Sequence, residues 1–168
     1  MNILVQKFGG TSVATKEMRN HVLHHVQREL AEGYHLVVVV SAMGRRGDPY
    51  ATDTLLDLMK KEGAGLPPRE QDLFISCGEI ISAAHLASLL NQHGINNCIL
   101  TGGQAGIITD ENYTNAQIQT LKPERILNEL ESEKVVIVAG FQGQSPDGEV
   151  TTLGRGGSDT TATALGGA

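Results

Sequence analysis

The sequence predicts an α/β fold, built in layers on a mostly parallel sheet. Three observations carry that expectation. Consecutive apolar, mostly β-branched residues fill 36–40 and 135–139, as in strands buried on both faces. Helix-period patterns alternate with the strand candidates, and no internal repeat interrupts them. Four strand ends pass into turns carrying glycine or serine, and open α/β sheets bind ligands at such ends.

The first strand candidate, 3–5, runs into Lys7-Phe8-Gly9-Gly10-Thr11-Ser12, and a helical pattern follows. Glycines let backbone N–H groups approach a phosphate, and a helix start adds partial positive charge. Lys7 reaches the same anion as a point charge. The lysine precedes the glycines, so this is not a Walker A loop. A tight strand-to-helix turn with a solvated lysine has the same local pattern, and both readings stay open. Met18, Val22, Val26 and Leu30 then recur at helical spacing, and Gly33 stops the helix. His21, His24 and His25 lie on it without an acidic or thiol partner at ligand spacing, so they read as solvated.

The strand at 36–40 ends in Ser41-Ala42-Met43-Gly44. A polar loop covers 45–50, and Thr52 or Asp53 opens a helix. After the breaker-rich loop 63–68, a helix from Arg69 is interrupted at Ser76-Cys77-Gly78. Glu79 falls in the first turn of the next helix, where the dipole favours a carboxylate. Gly94 closes that helix. A third strand is expected at 97–100, short hairpin arms near 107–108 and 116–120, and a helix over 123–130. The strand at 135–139 ends in Gly140-Phe141-Gln142-Gly143, Ser145-Pro146-Asp147-Gly148 is a turn, and 150–153 leads to Gly154-Arg155-Gly156-Gly157-Ser158-Asp159. A last helix opens at Ser158 or Asp159. It has no visible second half, so the sequence is expected to be part of a longer protein.

Composition narrows the partners. The 168 residues suffice for one domain with a core, and 40% hydrophobic content marks a globular chain. A net charge of −6 argues against nucleic acid or an anionic membrane as the main partner. No signal peptide is visible, and no apolar run approaches the roughly 20 residues of a membrane span. A cytoplasmic location is expected. Cys77 and Cys98 stand at no metal-ligand spacing and read as buried free thiols, and no protein-held metal site is expected.

Taken together, Lys7-Phe8-Gly9-Gly10-Thr11-Ser12, Ser41-Ala42-Met43-Gly44, Gly78-Glu79, Gly140-Phe141-Gln142-Gly143 and Thr152-Leu153-Gly154-Arg155-Gly156-Gly157-Ser158-Asp159 resemble the aspartokinases, in that family's order. The stretches 47–52 and Arg69-Glu70-Gln71-Asp72 resemble the bacillus-type enzymes most closely. The resemblance implies an αβα sandwich of the amino acid kinase type, with 1–168 as the N-terminal part of the catalytic domain. The nucleotide-base segments and the regulatory ACT domains of the family are missing from these residues. It also implies transfer of a phosphoryl group from ATP, with Mg²⁺, to the β-carboxylate of L-aspartate, and a homo-oligomeric full-length protein.

Under that resemblance, Lys7 and Asp159 are catalytic. Lys7, Phe8, Gly9, Gly10 and Ser41 meet the nucleotide phosphates. Thr52, Glu79, Arg155, Gly156, Gly157 and Ser158 hold aspartate, with Glu79 near its ammonium and Arg155 on its α-carboxylate. These roles suit the chemistry. A forked guanidinium pairs bidentately with a carboxylate. The β-carboxylate is already nucleophilic at neutral pH, so positioning and charge stabilisation dominate. Without the nucleotide's remote contacts, the 168 residues alone are expected to turn over negligibly. The alternatives are another amino acid kinase, acting on glutamate, acetylglutamate or a nucleoside monophosphate, or a non-catalytic aspartate-binding fragment.

Overall fold

The two β-branched runs form the middle of a four-stranded sheet. β2 (His35–Val40) and β6 (Val135–Ala139) pair with each other, and β1 (Ile3–Phe8) and β3 (Asn97–Leu100) flank them in the order β1-β2-β6-β3. Every pairing is parallel. Side chains alternate across the sheet, so the central runs feed two cores. Leu36, Val38, Val40 and Ile137 pack on one face under α1 (Lys16–Ala31) and α4 (Cys77–Gln92). Val37, Val39, Val136 and Val138 pack on the other under α5 (Glu124–Glu131) and α6 (Gly157–Gly166). The result is the expected αβα sandwich. The computed structural model describes residues 1–167, so the last residue of the expected domain, Ala168, lies outside that description.

A second sheet sits beside the first; the sequence reading expected its hairpin arms near 107–108 and 116–120, but not the sheet they join. β4 (Ile107–Thr109), β5 (Ile118–Leu121), β7 (Gln142–Gln144) and β8 (Val150–Thr152) lie in the order β5-β4-β7-β8. Its β4–β5 and β7–β8 pairs are antiparallel, and β4–β7 is parallel. The expected turn at 140–143 is therefore only two residues long. Phe141 takes a left-handed φ of +72°, and the chain becomes a strand at Gln142. Gln142 is buried: its Nε2 donates to the Ser76 carbonyl at 3.0 Å, and its Oε1 accepts from the Gly102 N–H at 3.3 Å. The three residues Gln142, Gly143 and Gln144 carry no apolar alternation, so the strand is hidden at the level of sequence.

Other boundaries also shift. β1 runs on to Phe8, and a 3₁₀ turn, Gly10–Val13, separates the glycines from α1. Thr15 caps α1, accepting from the Met18 N–H at 3.1 Å. The glycine turn therefore does not lie at the N-terminus of α1, which corrects the strand–turn–helix reading. α2 (Thr52–Glu62) and α3 (Pro68–Ile75) follow the 45–50 loop, and only Ser76 interrupts the path from α3 to α4. Pro68–Gln92 is long and apolar enough to cross a membrane by length and composition, contrary to the sequence expectation. Within its apolar 18-residue window 56% is buried inside the fold, as in a core helix of a folded domain. Cys77 is exposed and Cys98 half-buried, so the expectation of buried thiols fails at Cys77, the first residue of α4.

Candidate active site

Parallel strands bring the loops after their C-terminal ends to one edge, and a cavity of about 310 Å³ opens there. Lys7 enters it from the end of β1. Ser41, Ala42 and Gly44 enter from the loop after β2, Phe141 from the loop after β6, Arg155 and Gly156 from the segment joining β8 to α6, and Gly157 to Asp159 from the first turn of α6. The Lys7 Nζ lies 3.0 Å from the Asp159 Oδ1 in the first turn of α6. Lys7 is the less exposed partner, at 30% against 73% for Asp159, so the pair is only partly screened from water.

Close backbone approach shapes the opposite wall. The Gly44 N–H donates to the Gly10 carbonyl at 2.9 Å. A Cβ on Gly10 would stand 2.6 Å from the Gly44 carbonyl oxygen and 2.8 Å from that of Ala42. Only glycine lets the 3₁₀ turn dock on the loop after β2. Gly78 plays the same part for α4, where a Cβ would meet the Ala42 Cβ at 3.0 Å. That contact brings Glu79, one residue on, beneath the loop.

Glu79 is buried, at 2% exposure, and its Oε2 has no hydrogen-bond partner. Burial pushes its carboxyl up to about 8, against the pull of the backbone N–H groups of Glu79 itself and Ala42. A buried acid with an unpartnered oxygen on a cavity wall is poised to accept a cationic donor. Arg155 is the converse case. It is exposed on the rim and makes no ion pair among the described residues. Gly154 and Gly156, either side of it, take left-handed φ values of +81° and +76°. The cavity thus offers an acid for a cation, a guanidinium for a carboxylate, and a lysine already held by an aspartate.

The family model described as the amino acid kinase family matches residues 2–168. The chain belongs to that family. It is 53% identical over its whole length to aspartokinase 1 of Bacillus subtilis, and 49% identical over 98% of its length to the aspartokinase of Geobacillus stearothermophilus. It spans 42% and 39% of those two proteins, well under half of each. Among solved structures, aspartate kinase from Synechocystis superposes with a TM-score of 0.77 at 42% identity, over 97% of this chain and 26% of that one. E. coli aspartokinase III in complex with aspartate and ADP shares the fold, with a TM-score of 0.78 at 22% identity, over 98% of this chain and 46% of that one.

In this member of the amino acid kinase family, ten of the twelve residues singled out from sequence line one cavity: Lys7, Gly10, Ser41, Thr52, Glu79, Arg155, Gly156, Gly157, Ser158 and Asp159. Gly9 is not on the wall, but a Cβ there would lie 3.4 Å from the Lys7 Nζ. The side chain of Phe8 turns away. It packs against the core under α1 and α4, with its ring 6.2 Å from that of His25, because alternate strand residues face opposite sides. Sequence reasoning missed Arg45, Arg46, Asp53 and Phe141, which also line the cavity. Arg46 is tied to Asp57 and lies 3.7 Å from Asp53. The one available signal was position, since both arginines directly follow a strand-end turn.

Proposed function

We propose that the protein containing this chain is an aspartate kinase, and that residues 1–168 form the N-terminal part of its catalytic domain. It transfers the γ-phosphoryl group of ATP to the β-carboxylate of L-aspartate, giving 4-phospho-L-aspartate and ADP. The observation that carries this reading is the pairing, in one cavity, of a buried carboxyl with one unpartnered oxygen, Glu79, and a guanidinium, Arg155, that has no ion pair among the described residues. An amino acid presents the complementary charges. The relatives named aspartokinase, at 49–53% identity, support the choice of aspartate among amino acids.

In this reading Glu79 receives the ammonium and Arg155 the α-carboxylate, with Thr52 and Ser158 beside them. The β-carboxylate then points toward Lys7. One of its oxygens attacks the γ-phosphorus, and the bond from that phosphorus to the β,γ-bridging oxygen breaks, leaving ADP. Lys7 stabilises charge on the transferring group, Asp159 orients Lys7, and the backbone of Gly9 and Gly10 and the Ser41 hydroxyl meet the phosphates. Mg²⁺ carried by the nucleotide would offset phosphate charge there. A cytoplasmic homo-oligomer completes the proposal.

The test is ADP release by the full-length protein, coupled to pyruvate kinase and lactate dehydrogenase, over a panel of L-aspartate, L-glutamate, N-acetylglutamate and uridine monophosphate. Hydroxylamine trapping identifies the acyl phosphate. Release is expected with aspartate alone. Turnover with another member of the panel, and none with aspartate, overturns the substrate.

A further inference from the structure

The bacillus-like stretch Arg69-Glu70-Gln71-Asp72 has no part in the chemistry above, yet its last residue is among the most buried polar groups of the molecule. Asp72, near the middle of α3, is 0% exposed. It has no cationic partner among the described residues, and a buried carboxylate without one must be held by hydrogen bonds. Its donors come from two distant segments. The Thr114 N–H bridges both oxygens, at 3.1 Å to Oδ1 and 2.9 Å to Oδ2. The Thr152 N–H donates to Oδ2 at 2.9 Å, and the Thr152 hydroxyl donates to Oδ1 at 2.8 Å.

Both segments lead to Arg155. Thr152 ends β8, three residues before it. Thr114 is held at a left-handed φ of +73°, and the loop it belongs to braces Gly154, where a Cβ would lie 2.7 Å from the Asn115 Oδ1 and 3.3 Å from the Thr114 carbonyl oxygen. The Ala116 N–H donates to the Thr152 carbonyl at 2.9 Å, closing the two segments on each other. Arg155 itself makes no ion pair among the described residues, so its direction depends on the backbone that carries it.

We propose that Asp72 is a positioning residue for Arg155: its carboxylate clamps Thr114 and Thr152 together and so aims the 154–156 loop at the cavity. The clamp rests on the aspartate reading only for what Arg155 binds, not for how Arg155 is held. Asp72→Asn keeps the size but replaces one acceptor oxygen with a donor that faces donors already in place.

The test uses the full-length protein and two readouts. In kinetics, Asp72→Asn is expected to raise KM for aspartate about tenfold or more and to change KM for ATP by less than about twofold. In an Arg155→Ala background the same change is expected to add less than about twofold, because the two residues act as one unit. The second readout needs no activity. Trypsin cleavage after Arg155, measured well below the thermal midpoint of either protein, is expected to speed up about fivefold or more in Asp72→Asn, by more than at other arginines of the chain. Thr152→Val, which removes one donor and keeps the carboxylate, is expected to shift both readouts the same way by less, and it stands in if Asp72→Asn does not fold. Equal rises in both KM values, a full added effect in Arg155→Ala, or unchanged cleavage overturns the clamp. If wild-type protein shows no aspartate-dependent turnover, the substrate reading fails, and cleavage alone decides the clamp.

Discussion

Glu79 shows how one side chain gains a chemical property from its surroundings. An exposed glutamate in a first helical turn would sit at or below its ordinary range, aided by the dipole. Here burial dominates and raises it from 4.5 to about 8. The consequence for stability has a definite sign. Below pH 4.5 the group is neutral in both folded and unfolded chains and contributes nothing. Between 4.5 and 8 the unfolded chain loses the proton and the folded one keeps it, so stability falls as pH rises, by at most about 5 kcal/mol at pH 8. Glu79→Gln removes that slope. The variant should match wild type near pH 4 and exceed it by about 1–3 kcal/mol at pH 8, read from urea unfolding at the two pH values. A variant less stable than wild type at pH 8 would mean that the carboxylate is ionised and paired in the ligand-free protein. An ammonium ligand should shrink the difference, because it stabilises the charged form.

Between the elements, the decisive contacts are backbone on backbone. The 3₁₀ turn Gly10–Val13 touches the loop after β2 through Gly10, with carbonyl oxygens where a side chain would begin. Gly10→Ala therefore cannot be absorbed by a rotamer change and must part the two segments. It should cost about 1–3 kcal/mol in chemical denaturation and open the Lys7 end of the cavity to faster amide exchange at residues 41–44. Wild-type exchange there would show that the wall gives without opening. Elements of this sheet were readable wherever burial is written as composition. β2, β3 and β6 match the expected strands, and Lys7 stood out because it follows a strand candidate and precedes two glycines, whereas the roles of Glu79 and Arg155 came from the resemblance to the aspartokinases. What stayed hidden was set by distant partners. Gln142 looks like a turn residue until the Ser76 carbonyl and the Gly102 N–H are placed around it. Asp72 follows Arg69, Glu70 and Gln71 and so reads as part of a wet helix face. Arg45 and Arg46 resemble any basic loop, and only the fold turns them toward the cavity.

At the scale of the molecule, two sheets meet over one edge and divide the work. The parallel sheet supplies Lys7 and the glycine turn, while the second sheet ends in the Arg155 loop, with α6 carrying Asp159 back across to Lys7. The side chains proposed to hold the amino acid all line one cavity within these residues. The chain spans 39–42% of those aspartokinase relatives, and under the proposed function the contacts for base and ribose belong to the remainder of the full-length protein. Binding energy from those remote groups is normally used to hold the triphosphate in line, so its loss lowers kcat and cannot be recovered by more ATP. The 168-residue chain on its own should therefore turn over at least about a thousandfold more slowly than the full-length protein, even at saturating ATP. It should still bind L-aspartate, with Arg155→Ala abolishing that binding in calorimetry. Full turnover by the short chain in the coupled assay would place the whole nucleotide site inside these residues. Loss of aspartate binding with the fold intact would show that the pocket needs the rest of the protein to close.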